Sequence, residues 1–192
     1  MKYLFLDLET TGTDRIKNNI WQIAGLITDG RDTGYKALDA FDFKFRPYPG
    51  MVELEALEKG RMTLEDLSAF PLSAEEVYQK FLKILAKHCN KFDKTDKLQI
   101  VAYNAGFDSE FLREFFTKSG DKFYGSWFWT PAICVMQAAA NELAEHRAKL
   151  PNFQLKTLCL AAEIAWDDDK AHDAKYDIAK TFELFRHLTP KS

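Results

Sequence analysis

The sequence predicts an α/β fold, a mixed sheet with helices against both faces. Three strand-like runs come first, with no helical pattern between them. After them, strand-like and helix-like segments alternate. That order suits antiparallel neighbours on one side of a sheet and parallel crossovers on the other. The 192 residues are 46% hydrophobic and 29% charged, which suits one well-filled core, so 1–192 is read as a single domain.

The elements follow in order. Residues 2–8, with the apolar run Tyr3-Leu4-Phe5-Leu6, read as a central strand. Trp21 to Thr28 is a second strand, and Asp29-Gly30 signals a turn after it. Phe41, Phe43 and Phe45 alternate with Asp42 and Lys44, so 40–46 reads as a half-exposed third strand. Pro47, Pro49 and Gly50 end it. Together the three make an antiparallel meander. Residues 28–39 and 46–64 are the least regular and are expected to be mobile loops beside a site. From Ala74 to Lys87, Val77, Phe81, Ile84 and Leu85 share one helical face, and Ser73 with Glu76 forms a capping box. Leu98 to Tyr103 is a short apolar strand. Phe107 to Lys118 is a helix with Phe107, Phe111 and Phe115 in line. Helices over 131–145 and 154–164 are separated by Pro151-Asn152. The last helix, Ala174 to Leu188, has Ile178, Phe182 and Phe185 on its core face.

Composition narrows the classes. No apolar run is long enough to span a bilayer, so no membrane partner is expected. The first apolar run is short and carries Asp7, which does not suit a leader peptide, and a cytoplasmic protein is expected. Cys89, Cys134 and Cys159 lack metal-like spacing and read as reduced thiols. A net charge of −3 exerts no global pull on nucleic acid, yet a site that loads cations changes its own local sign.

Acidic residues mark the candidate site. Asp7-Leu8-Glu9 closes the first strand, and strand alternation points residues 7 and 9 to one face. Like charges held that close repel unless a cation sits between them, and Mg²⁺ or Mn²⁺ favours such oxygen ligands. Asp108 lies where a strand hands over to a helix, within Asn104-Ala105-Gly106-Phe107-Asp108, and alone would pass for a helix cap. Asp177 enters the last helix five residues after His172, and alone would pass for a solvated charge. Asp167-Asp168-Asp169 reads as a solvated loop.

Taken in order, these segments resemble the motifs of the DEDDh 3′–5′ exonucleases over most of the chain. Asp7-x-Glu9-x-Thr11-Gly12 resembles the first, Asn104-Ala-Gly-Phe107-Asp108 the second, and His172-x-Ala174-x-x-Asp177 the third. Residues 20–24 and Asn152 to Leu158 carry milder likenesses. Gln22 stands where many members have Glu, and Tyr103 where His is frequent. The resemblance implies a ribonuclease H-like fold with a mixed five-stranded sheet. It also implies hydrolysis of phosphodiester bonds at the 3′ end of single-stranded DNA or RNA, releasing nucleoside 5′-monophosphates. Two Mg²⁺ or Mn²⁺ ions would generate the nucleophile and stabilise the leaving oxygen. Asp7 would bridge both ions, Glu9 and Asp177 would complete the nucleophile side, and Asp108 would serve the other. His172 would be the general base, since histidine exchanges protons near neutral pH.

Substrate contacts implied by the resemblance are Thr10, Thr11 and Gly12 through the backbone, with Asn104 and a stacking Phe107. Met62 and Leu64 would lie in a loop bearing an apolar wedge. Lys149, Lys156, Lys170 and Lys175 could meet phosphates or form a solvated face. Assembly stays open between a monomer, a homodimer and a polymerase or replication partner. Two rival readings remain. One is a haloacid dehalogenase-like phosphatase with Asp7 as nucleophile and Asp167 to Asp169 as late metal ligands. It leaves the second and third motifs unexplained and wants Asp at position 9. The other is a non-catalytic nucleic-acid-binding module, against which the full set of five acid and histidine residues speaks.

Overall fold

The structure, a computed structural model, describes residues 1–30 and 34–189. The chain order is β1 (Lys2–Thr10), β2 (Ile20–Thr28), β3 (Ala37–Lys44), α1 (Leu54–Lys59), α2 (Leu64–Ala69), α3 (Ala74–His88), β4 (Leu98–Ala102), α4 (Ala105–Lys118), α5 (Tyr124–Trp127), β5 (Phe128–Cys134), α6 (Val135–Glu142), α7 (Leu155–Ala161) and α8 (Ala174–Leu188). The five strands lie in the order β3-β2-β1-β4-β5. β1 pairs antiparallel with β2 and β2 with β3, while β4 and β5 run parallel to β1. The expected mixed sheet is thus present, with β1 at its centre.

Alternation along β1 divides the molecule into two layers. Leu4, Leu6 and Leu8 pack with Val77, Phe81 and Leu85 of α3 and Phe111, Leu112 and Phe115 of α4. On the other face Phe5 packs with Val135 of α6, Leu158 of α7 and Ile178 and Phe185 of α8. Its ring meets Phe182 and Phe185 edge-on, with centroids 4.9 and 5.4 Å away. Ser73 and Glu76 form the capping box that starts α3.

Several boundaries differ from the sequence reading. Residues 131–134, expected to open a helix, instead complete β5, and α6 begins at Val135. Pro131 has no N–H to give a ladder, and β5 is an edge strand where that donor is not needed. The helix stops at Glu142 and a 3₁₀ turn covers Ala144–Lys149. β3 spans 37–44 rather than 40–46. Phe45 still donates its N–H to Trp21 O at 2.9 Å, but Arg46 has left the sheet to bridge Ser73. The 46–64 stretch is not all loop. It holds α1 and leads into α2, which bury Leu57 and Leu67 against Trp21. Residues 31–33 of the irregular 28–39 stretch lie outside the described residues, and 37–39 belong to β3.

Phe5 is fully buried between β1 and α8. Phe5→Ala is expected to cost about 3–5 kcal/mol, read as a lower urea midpoint at unchanged slope. A loss below about 1 kcal/mol would contradict this packing.

Candidate active site

The strand that centres the sheet also starts the site. With its even residues turned to α3 and α4, β1 turns Phe5, Asp7 and Glu9 to the α8 layer. Pairing with β2 slips after Glu9, so the ladder is irregular where the chain leaves the sheet. α8 approaches from that side. Asp173 caps its first turn by accepting the Tyr176 N–H at 3.1 Å. Asp177 follows one turn on, next to the buried Ile178. Asp7, Glu9 and Asp177 each present a carboxylate oxygen, and these lie within 4.8 Å of one another.

Asp108 stands beside this group but outside that mutual distance. It sits in the first turn of α4, 5% exposed, directly after the parallel strand β4. Its carboxylate takes hydrogen bonds from the backbone N–H groups of Asp108 and Leu8, so it reaches β1. It is also the strongest charged neighbour of Asp7. It is therefore no solvated helix cap.

The electrostatic consequence is strong mutual repulsion in a buried place. Burial first, then the charges of Asp108, Glu9, Asp177 and Asp173, holds the Asp7 carboxyl well above its ordinary value. Burial, Asp177, Asp108 and Asp173 push Glu9 up to about 8, with Lys44 pulling weakly the other way. Burial raises Asp108 to about 7 against its backbone hydrogen bonds. Asp177 rises to about 6, chiefly by burial, against a hydrogen bond from the His172 backbone. One oxygen of Asp177, Oδ1, is buried without a hydrogen-bond partner. A cluster of hard oxygen donors with an orphaned lone pair and excess negative charge fits a divalent cation.

His172 is exposed and lies in the left-handed region at φ 64°. It borders a cleft of about 350 Å³ shared with Asp7, Asp177, Tyr103 and Trp166. The loop behind it is braced. Trp166 Nε1 donates to Asp168 at 3.0 Å, the Asp167 N–H donates to Tyr176 Oη at 2.7 Å, and Lys156 pairs with Asp168 at 2.7 Å. Asp167 pairs with Lys170 at 2.8 Å. The Asp167–Asp169 run is thus a paired surface loop, as the sequence suggests, and supplies nothing to the three-acid group.

The other expected site residues lie outside the three-acid group. Thr10 and Thr11 are buried and spend their hydroxyls on Gly12 O and Met51 O, at 2.7 and 2.8 Å. The Thr11 N–H is taken by Asn19 O at 2.8 Å. A Cβ on Gly12 would come within 2.4 Å of both Asn18 and Glu53, so a side chain there would have to displace those two side chains. These residues shape the turn beyond Glu9. Asn104 precedes α4 and lines a different cavity, with Thr130, Pro131 and Cys134. Phe107 is half-buried against Phe111, centroids 4.6 Å apart. Met62 packs in the small cluster of Trp21, Leu57 and Leu67, and Leu64 is exposed at the start of α2. Lys156 and Lys170 are held in the ion pairs above.

The structure adds residues that the sequence reading missed. Asp173 contributes a further negative charge to Asp7, Glu9 and Asp177. Its cap was readable, being an Asp three residues before Tyr176 at a helix start. Arg61 donates to Asp169 O at 2.9 Å and Asp168 O at 3.2 Å, tying the segment before α2 to the loop that carries His172. No local pattern announces a contact across so much chain.

These raised carboxyls give a stability signature. In the folded chain they hold protons more tightly than in the unfolded chain. Without metal, their contribution is full below about pH 4, the ordinary carboxyl value. It is lost as pH rises through about 6 to 8, the folded values of Asp177, Asp108 and Glu9. A tenfold change in proton affinity is worth about 1.4 kcal/mol, so several kcal/mol are at stake. Thermal melts in chelator should fall across that window, and added Mn²⁺ should restore more stability at pH 8 than at pH 5. A flat metal-free profile would contradict the arrangement.

Comparison with known proteins agrees with this geometry. The model of the RNase_T family, described as Exonuclease, matches residues 4–185. Ribonuclease T of Shewanella sp. (strain ANA-3) is 27% identical over 185 residues, covering 95% of this chain and 79% of that one. Ribonuclease T of Photobacterium profundum is 28% identical over 191 residues, covering 97% and 81%. E. coli exonuclease I bound to a dT13 oligonucleotide has the same fold, with a TM-score of 0.76 at 20% identity, over 98% of this chain and 41% of that one. An exonuclease I complex with SSB-Ct aligns with a TM-score of 0.72 at 20% identity, over 98% and 41%. The chain thus spans about two fifths of the exonuclease I chains it resembles. With the family pattern covering nearly its whole length and the acidic cluster in place, the chain belongs to the RNase_T exonuclease family, and so to the DEDDh 3′–5′ exonucleases.

Proposed function

We propose that this exonuclease, acting as one domain over 1–192, hydrolyses single-stranded DNA or RNA from the 3′ end and releases nucleoside 5′-monophosphates. The convergence of Asp7, Glu9 and Asp177 on one another, with His172 on the rim of the same cleft, carries this reading. Exonucleases of this family depend on divalent metal. Asp7, Glu9, Asp108 and Asp177 would hold two Mg²⁺ or Mn²⁺ ions, whose chemistry is to activate water and offset negative charge at the phosphate. Asp7 is central to this set, because it feels the charges of Asp108, Glu9 and Asp177 together.

His172 supplies the proton acceptor. Its exposure leaves the imidazole open to solvent, so a proton taken from the attacking water can pass on. The left-handed backbone at His172 and the Asp173 cap fix where the ring starts, and Arg61 ties the loop before it to the segment leading into α2. The turn at Thr10, Thr11 and Gly12 lies next to Glu9 and is built rigidly enough to position a terminal nucleotide by its backbone. Phe107, Asn104 and Met62 are further candidates for substrate contact. The expected setting is the cytoplasm, with a homodimer or a polymerase-associated assembly as the forms to look for.

The test is digestion of 5′-end-labelled DNA and RNA, single- and double-stranded, with Mg²⁺ or Mn²⁺. Successive shortening from the 3′ end of single strands is expected. Asp7→Asn should lower turnover to background. His172→Ala should lower kcat by about 10²–10⁴-fold while leaving Mn²⁺ affinity and KM nearly unchanged. Activity on an aryl phosphate with none on oligonucleotides would overturn the reading.

A further inference from the structure

The imidazole of His172 holds its place without a hydrogen bond of its own. Among the described residues none reaches its ring nitrogens, although its backbone N–H donates to the Asp177 carboxylate. Where the exposed ring can go is therefore decided by the backbone that carries it. α8 fixes that backbone from one side, since Asp173 caps the helix directly after His172. On the other side lie turns, with the Lys170 N–H on Asp167 O at 3.2 Å and the Asp173 N–H on Lys170 O at 3.3 Å. Arg61 grips this side. Its two terminal nitrogens donate to the carbonyls of Asp169 and Asp168, just ahead of His172.

Local chemistry sets where Arg61 starts. It follows α1 in the left-handed region at φ 54°, with its N–H on Glu58 O at 3.0 Å and the Met62 N–H on Leu57 O at 2.9 Å. That is a Schellman helix end, whose left-handed position suits glycine. Here it carries arginine. The conformation alone is no signal, since Glu163 ends α7 in the same way at φ 58°. What sets Arg61 apart is where its side chain lands. It has no carboxylate partner among the described residues, and its planar fork spans two adjacent carbonyls of a distant loop.

The base of this tether is registered on the strand that carries the acids. Met62 packs with Trp21, Leu57 and Leu67. The Trp21 indole N–H donates to Thr10 O at 3.3 Å, and the Glu53 N–H donates to Thr11 O at 2.7 Å. A route thus runs from the end of β1 through Trp21 and Arg61 to the His172 loop, separate from the one through α8. We propose that Arg61 is a positioning residue for His172. By holding the carbonyls ahead of the imidazole, it sets how the ring approaches the group formed by Asp7, Glu9 and Asp177. Small errors in such an approach cost rate steeply. The assignment rests on the proposed role of His172 as proton acceptor.

The experiment compares wild type, Arg61→Gly and Arg61→Lys, each with His172 and with His172→Ala, on single-stranded oligonucleotide with Mn²⁺. Arg61→Gly removes the fork and relieves the left-handed backbone, so its melting temperature is expected within about 2 °C of wild type. Its kcat should fall about ten-fold with KM unchanged. Arg61→Lys keeps a donor without the fork and should lie about three-fold below wild type. With His172→Ala already present, Arg61→Gly should change kcat by less than about two-fold. In chelator, without turnover, amide hydrogen exchange over residues 168–173 should quicken about ten-fold in Arg61→Gly. If that variant melts well below wild type, Arg61→Asn decides, because asparagine also tolerates the left-handed region. Wild-type kcat or wild-type exchange in the deciding variant would overturn the assignment. So would a raised KM alone, or an equal loss of kcat with and without His172. A wild type inactive on single strands, or full activity in His172→Ala, would instead overturn the reading on which it rests.

Discussion

Everything at the acidic end of the sheet follows from one constraint: carboxylates that repel one another must be held together in a buried place. β1 delivers two of them, one residue apart, and cannot separate them. α8 delivers Asp177, and it is pressed onto β1 by Phe5, Phe182 and Phe185. β4 and α4 deliver Asp108 from the neighbouring parallel crossover. The hydrophobic packing behind the acids is thus what opposes the repulsion between them. Raised proton affinity is the cost of that arrangement, and cation binding is its natural relief.

The walls of the cleft are made rigid by polar contacts. Beyond Glu9 the chain turns through Thr11 and Gly12, where Asn18 and Glu53 crowd the glycine and Met51 O accepts from Thr11 and Asn18. The 166–172 loop is fastened by Trp166, Tyr176 and Lys156, and Arg61 ties it to the segment leading into α2. Loops that looked irregular in sequence are therefore fastened where they border the acids.

Much of the fold was legible in the sequence because its signals are local. Apolar runs marked β1 and β2, alternation marked β3, and apolar residues at helical spacing marked α3, α4 and α8. The acids were legible for a different reason: three short motifs in a fixed order resemble a family, and none would have sufficed alone. Asp108 illustrates the difference, since its local context fits a cap and only tertiary placement buries it. β5 was missed because Pro131 argues against a strand unless its position at the sheet edge is known. The α1 and α2 helices were missed because each is little more than a turn and a half, stabilised by Trp21 from a distant strand. Arg61 was invisible because its partners are the carbonyls of residues 168 and 169. Asn104 and Met62, proposed as substrate contacts, lie outside the acidic group, in a separate cavity and in the Trp21 cluster.

The most direct measurement is the number and affinity of Mn²⁺ ions bound per chain, by isothermal titration calorimetry at neutral pH with and without a nucleoside 5′-monophosphate. The account predicts saturable binding that reaches two ions per chain with the nucleotide present, and that is lost in Asp177→Asn and Asp7→Asn while both variants stay folded. Unchanged Mn²⁺ binding in those two variants would contradict a shared cation site built from these acids.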